Sequence, residues 1–205
     1  MKQRIEISNA SNIPNFIGSW MLEDTGMCDE IVSFFEANPI KQSLGALGGG
    51  VDESKKKTTD ISIKPKQLEQ EEYKIFKTYI DNLVNCFSDY KEQWPFLNTI
   101  KGMEIGTFNL QKYSPGGHFS KVHTERDSAA SQHRVLAFMT YLNDVEEGGE
   151  TEFLEINKTF KPLIGQALFW NNLKPDGSVN HNTLHQAHPV VKSNKAVITK
   201  WFRES

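Results

Sequence analysis

From Met103 onward the apolar residues stop recurring at helical spacing. They fall into short runs rich in β-branched and aromatic side chains, separated by Pro115-Gly116-Gly117, Glu147-Gly148-Gly149 and Pro175-Asp176-Gly177. That pattern limits the fold sharply, because short strands joined by tight turns pair antiparallel and close into a sandwich or barrel such as a jelly roll. The expected strands are Glu104 to Tyr113, Val135 to Leu142, Thr151 to Ile156, Gln166 to Asn171 and Ala196 to Phe202. Before Met103 the period is helical. Ile31, Val32, Phe34 and Phe35 form one apolar face behind the candidate caps Asp24 and Thr25, ending at Asn38-Pro39, and Tyr73, Phe76, Ile80, Val84 and Phe87 mark an amphipathic helix from Leu68 to Asp89. The 205 residues therefore read as a single domain, mainly β, with a helical N-terminal support and substrate-loop region over 1–102 and a β core over 103–205.

Composition narrows the function classes. Apolar residues at 38% and charged residues at 24% fit a soluble globular chain and not a disordered one. The longest nearly apolar run, Val135 to Leu142, is far short of the roughly 20 residues that a spanning helix needs. No apolar stretch backs the cations of the amino end as a secretory signal requires, so no membrane role and a cytoplasmic location are expected. With 23 Lys+Arg against 26 Asp+Glu the net charge is −3, which offers phosphate backbones no attracting field, and nucleic acid is not expected as a partner. Cys28 and Cys86 match neither a C-x-x-C motif nor a structural zinc site, and buried free thiols are expected. Gly45-Ala46-Leu47-Gly48-Gly49-Gly50, followed by Lys55-Lys56-Lys57, hints at a phosphate loop. No Lys-Ser or Lys-Thr follows at the Walker spacing, so this stretch reads as a mobile, solvated loop.

All six histidines lie in the β half. In His123-Thr124-Glu125 an extended backbone turns residues i and i+2 the same way, so one imidazole and one carboxylate can reach a common ion. A third ligand is sought in Asn182-Thr183-Leu184-His185-Gln186-Ala187-His188-Pro189, where His185 is the choice. Two imidazoles and one carboxylate make the facial set that leaves positions open on Fe(II). Asp127 is a rival carboxylate, and His118, His181 and His188 are rival imidazoles. Lys195, ten residues after His185, is a point charge for a cosubstrate carboxylate, although a solvated strand-end lysine is the ordinary reading. Tyr113 and Tyr141 offer hydroxyl donors or plain core filling.

In order along the chain, Tyr113-Ser114-Pro115-Gly116-Gly117, His123-Thr124-Glu125, Arg134 through Asn143, Gly148-Gly149-Glu150-Thr151-Glu152-Phe153, Pro162 through Phe169, and His185 with Lys195 resemble the motifs of the 2-oxoglutarate- and Fe(II)-dependent dioxygenases of the prolyl 4-hydroxylase type. The resemblance spans roughly Met103 to Arg203 and implies a double-stranded β-helix of the jelly-roll kind, buttressed by the N-terminal helices. It implies that His123, Glu125 and His185 bind iron, that Lys195, Tyr113, Tyr141 and Thr199 hold 2-oxoglutarate, and that Arg134 and Trp201 line the substrate side. It also implies O2 as co-reactant, ascorbate as a candidate accessory reductant, and a prolyl residue of a peptide or protein as substrate, with Leu44 to Thr59 as a lid. Another residue or a free amino acid is the alternative substrate, and a non-catalytic jelly-roll binding module the alternative function. The family's usual carboxylate ligand is aspartate, and here it is Glu125. Monomer and homodimer both stay open.

Overall fold

The structure, a computed structural model, describes residues 3–7 and 15–203. Among the described residues, two main antiparallel sheets and two α-helices form three layers. The larger sheet runs in the order Gln3–Ile5, Ile17–Met21, Gln166–Asn171, Arg134–Tyr141, Lys195–Arg203, Phe108–Tyr113, Thr59–Ile63 and Ser43–Leu44, with Glu104–Ile105 also paired to Lys195–Arg203. The smaller sheet runs Lys158–Phe160, Thr151–Phe153, His185–Ala187, His118–His123 and Lys56–Lys57.

Side chains alternate across a strand, so the strand Arg134–Tyr141 serves two cores at once. Leu136 and Phe138 join Phe108, Phe169, Ile198 and Phe202 against the helices. Ala137, Met139 and Tyr141 join Tyr113, Trp170 and Val197 against Phe153 and Val190 of the opposite layer. Burial on both faces explains why Val135 to Leu142 reads as an unbroken apolar run and not as an alternating one. Thr140, the polar exception, bonds across the layer to the Tyr79 hydroxyl at 2.8 Å.

Helix α1 is Gly26–Ala37 and buries Met27, Cys28, Ile31 and Phe35. The Asp24 carboxylate accepts from the Met27 N–H at 3.3 Å, whereas Thr25, at the cap position, makes no side-chain cap bond. Helix α2 is Lys74–Gln93, shifted later than the expected Leu68 to Asp89 because the stretch after Pro65 winds as two 3₁₀ turns, Pro65–Glu69 and Glu71–Tyr73. Cys28 and Cys86 are buried and in no disulfide.

Reading the first hundred residues as helical misses strands. Ile17–Met21 and Thr59–Ile63 are structural members of the larger sheet, pairing with Gln166–Asn171 and Phe108–Tyr113. Ile61 and Ile63 alternate with Asp60 and Ser62, a pattern too short to stand out from its polar surroundings. The expected strand Glu104 to Tyr113 breaks at Gly106-Thr107, where the buried Lys200 ammonium donates to the Thr107 carbonyl. The stretch from Leu44 to Thr59 is not a plain solvated loop. It holds a small hairpin, Ala46–Leu47 with Gly50–Val51, and the Lys56–Lys57 strand that pairs with His118 and Phe119.

Gly148 has φ 82°, and a Cβ there would lie 2.3 Å from the Pro189 carbonyl oxygen and 2.8 Å from the Val191 nitrogen, both backbone atoms that cannot swing aside. Gly148→Ala should destabilise the fold by about 2 kcal/mol, and differential scanning fluorimetry should show a melting temperature lower by about 4–8 °C.

Candidate metal centre and its pocket

Strands His118–His123 and His185–Ala187 are neighbours, and their register places His123 opposite His185, with ring centroids 4.4 Å apart. Two residues past the end of the first strand, Glu125 brings Oε1 to 3.9 Å from His123 Nε2 and 3.7 Å from His185 Nε2. One donor atom from each lies within 4.8 Å of the other two, the sole such grouping of three among the described residues.

Backbone carbonyls fix both tautomers. His123 Nδ1–H donates to the Lys121 carbonyl and His185 Nδ1–H to the Thr183 carbonyl, each at 2.8 Å. With the proton on Nδ1, the Nε2 lone pair is turned toward the carboxylate, the second-layer arrangement that metal-binding histidines use. Burial, with a lesser contribution from His123, pushes the His185 pKa down to about 3, so this ring is neutral at physiological pH and free to ligate. Phe119 stacks on His123 at 4.3 Å, and Trp170 meets His185 edge-on at 5.1 Å.

The other carboxylate oxygen, Oε2, accepts from Arg134 Nη1 at 3.2 Å and from the Trp201 indole N–H. The Arg134 guanidinium lies over the Trp201 ring, 3.9 Å from its centroid. Oε1 alone is left toward the imidazoles. Two neutral imidazoles and one oriented carboxylate fit Fe(II) and leave further positions for exchangeable ligands.

The rival ligands are occupied elsewhere. Asp127 pairs with Lys121 at 2.9 Å, His188 bonds Glu152 at 2.9 Å, and His118 Nδ1 accepts from the Ser120 N–H. His181 sits in a 3₁₀ turn, and no grouping of metal ligands among the described residues includes it.

Beside the triad opens a cavity of about 390 Å³, bounded by both sheets and by Ala46 to Gly48. Tyr113, Thr199, Arg134 and Trp201 line it. Lys195 and Tyr141 stand behind this lining. Lys195 is 1% exposed, donates from Nζ to the Gly149 carbonyl at 2.9 Å, and rests 4.1 Å from the Tyr113 ring centroid. Burial pulls its pKa down to about 7, opposed only in part by Glu150. The Tyr141 hydroxyl bonds Thr151 at 2.7 Å, and burial raises its pKa and that of Tyr113.

Sequence reasoning missed a buried polar wall of this cavity. Lys56 Nζ pairs with Asp60 at 2.7 Å, Asp60 also accepts from Thr58 at 2.7 Å and from Gln111 at 3.0 Å, and the Tyr113 hydroxyl donates to Gln111 at 3.3 Å. The available signal was the i, i+2, i+4 spacing of Lys56, Thr58 and Asp60, which puts all three on one face of an extended segment.

The sequence model of the 2OG-Fe(II) oxygenase superfamily matches residues 108–203, the stretch that holds all three members of the triad. Residues 108–203 form a 2OG-Fe(II) oxygenase domain. Among curated proteins, this chain is similar to prolyl 4-hydroxylase 13 of Arabidopsis thaliana, 33% identical over 117 residues, covering 48% of this chain and 43% of that protein. It is also similar to the prolyl 4-hydroxylase subunit alpha-2 of Gallus gallus, 36% identical over 109 residues, covering 53% of this chain and 20% of that one. The chain thus spans less than half the length of these relatives. Among solved structures, the Pseudomonas putida prolyl-4-hydroxylase aligns with TM-score 0.67 and 17% identity over 92% of both chains. The viral collagen prolyl hydroxylase of Paramecium bursaria Chlorella virus-1, in its 2OG complex, aligns with TM-score 0.64 and 18% identity over 93% of this chain and 97% of that chain. The oxygenase domain therefore has the double-stranded β-helix fold.

Proposed function

We propose that this protein is an Fe(II)- and 2-oxoglutarate-dependent dioxygenase that hydroxylates a prolyl residue of a peptide or protein. The observation that carries this reading is the convergence of His123, Glu125 and His185, with both Nε2 atoms turned toward one carboxylate oxygen, at the wall of a cavity. The names of the curated relatives support the choice of proline. Iron and 2-oxoglutarate would supply, with O2 as the oxidant, chemistry in which one oxygen atom enters succinate as carbon dioxide leaves and the other hydroxylates an unactivated C–H bond.

The chain's own part is placement. His123, Glu125 and His185 hold the metal, and Thr199 and Tyr113 orient the cosubstrate from the cavity wall. Lys195 takes the distal carboxylate by exchanging its bond to the Gly149 carbonyl for a charged partner. Residues 44–59 cover the open side, where Ala46 to Gly48 already line the cavity. In this assignment residues 103–205 carry the chemistry and residues 1–102 the support and the substrate loop. A cytoplasmic location, in keeping with two cysteines outside any disulfide, and ascorbate as a reductant for spent iron belong to the same proposal.

Anaerobic titration with Fe(II) and 2-oxoglutarate should produce the visible charge-transfer band of the chelate, and prolyl peptides should then drive succinate release. A folded protein that gives neither band nor succinate would leave a non-catalytic binding module as the better account. Succinate release driven by other peptides or free amino acids, but not by prolyl peptides, would move the substrate assignment alone.

A further inference from the structure

Arg134 and Trp201 both line the cavity, yet each spends a donor on Glu125. We propose that Arg134 and Trp201 are positioning residues for the iron ligand: together they seize Oε2 and so fix Glu125 as a one-oxygen donor facing His123 and His185. The inference rests on the iron-centre reading given above.

Three observations converge on it. The carboxylate is 6% exposed, and its two oxygens have separate tasks, Oε1 toward the imidazoles and Oε2 toward the two donors. A buried carboxylate needs such partners, because charge removed from water is costly unless paired and hydrogen-bonded. The two donors are also held to each other, since the Arg134 guanidinium carbon lies over the Trp201 ring, 3.9 Å from its centroid. They come from paired strands, Arg134–Tyr141 and Lys195–Arg203, so the clamp is anchored in the larger sheet while both imidazoles stand on the smaller one. Glu125 thereby links the two layers.

The bridge also explains why glutamate suits this position. An aspartate would retract the carboxylate by about 1.5 Å, one C–C bond, and could not keep one oxygen at the imidazoles and the other on a clamp set in the opposite sheet. With Oε2 occupied, chelation of the metal by both oxygens is opposed.

The test is a cycle of metal affinities, measured anaerobically with Fe(II) alone and with no cosubstrate or turnover. Arg134→Gln and Trp201→Phe should each weaken Fe(II) binding by about tenfold to a hundredfold, the range typical of second-layer partners. Arg134→Lys should restore part of the loss. In a Glu125→Asp background the added Arg134→Gln change should alter affinity by less than about twofold, because the shortened carboxylate no longer reaches the clamp. Trp201→Phe keeps an aromatic ring and deletes the N–H, so it decides the matter if Arg134→Gln fails to fold. Unchanged Fe(II) affinity in the folded variants, with only peptide affinity reduced, would overturn the proposal. So would an Arg134→Gln penalty that persists undiminished in the Glu125→Asp background. A wild-type protein that takes up no Fe(II) is a separate result, which removes the iron-centre reading itself.

Discussion

Replacing His185 by alanine should abolish the charge-transfer band of the Fe(II)–2-oxoglutarate complex and reduce succinate formation by about a thousandfold or more, equivalent to roughly 4 kcal/mol of lost transition-state stabilisation. The ring has no substitute nearby, since the other histidines are engaged elsewhere or lie outside the grouping. His185 also packs between Trp170 and Phe153. A cavity left by alanine could therefore cost stability as well. His185→Gln, which keeps most of the volume, separates the two effects: it should melt close to the wild type and still lack the band. A His185→Gln protein with an unaltered band would show that the metal is held by other groups.

Lys195→Met should raise the 2-oxoglutarate concentration needed for half-saturation by about tenfold to a hundredfold, the value of one buried hydrogen bond to a charged group, roughly 1.5–3 kcal/mol. Fe(II) affinity without cosubstrate should stay the same, because Lys195 makes no contact with the triad. The lysine also gives binding a pH dependence with a definite sign. In the free protein burial holds its pKa near 7, whereas a carboxylate against Nζ would hold the ammonium charged and raise it. Binding then takes up a proton above pH 7. Affinity for 2-oxoglutarate should be full below about pH 7 and fall by up to about tenfold per pH unit above it. The Lys195→Met protein should be weak and flat over the same range. Titrations of the charge-transfer band at about pH 6.5, 7.5 and 8.5, which bracket the point where the lysine loses its proton, would check this. A flat wild-type profile would place the carboxylate elsewhere.

How much of this was legible beforehand differs by residue. His123-Thr124-Glu125 was readable because a two-residue spacing can turn an imidazole and a carboxylate the same way, although the strand ends at His123 and Glu125 lies just past it, and the turn glycines before Thr151 announced the strand boundaries. Strands buried on both faces were readable for a different reason, since Val135 to Leu142 has no polar side to show. What failed was periodicity at short range. Ile17–Met21 and Thr59–Ile63 have five residues each, with Ser19, Asp60 and Ser62 among them, and their β character is imposed by the neighbours they pair with. The roles of Arg134 and Trp201 were assigned by resemblance to the substrate side. Their bonds to Glu125 depend on the distance between two sheets, which no one-dimensional pattern records. For the same reason Lys195 was readable as a cation ten residues after His185, but not as one buried against Tyr113.

The strand Arg134–Tyr141 stands between two cores, and this bears on how far the half that matches the family is portable. The stretch that matches the family begins at residue 108, but the face of the larger sheet that carries Phe108, Phe138, Phe169 and Phe202 is roofed by α1 and α2, and its flanks are completed by Ile17–Met21 and Thr59–Ile63. Excised at Met103, the oxygenase half would present a broad greasy surface and two open strand edges to water, the combination that drives aggregation. The segment recognisable by descent is thus smaller than the segment able to fold, and grafting this chemistry into another protein would require transplanting the N-terminal hundred residues with it.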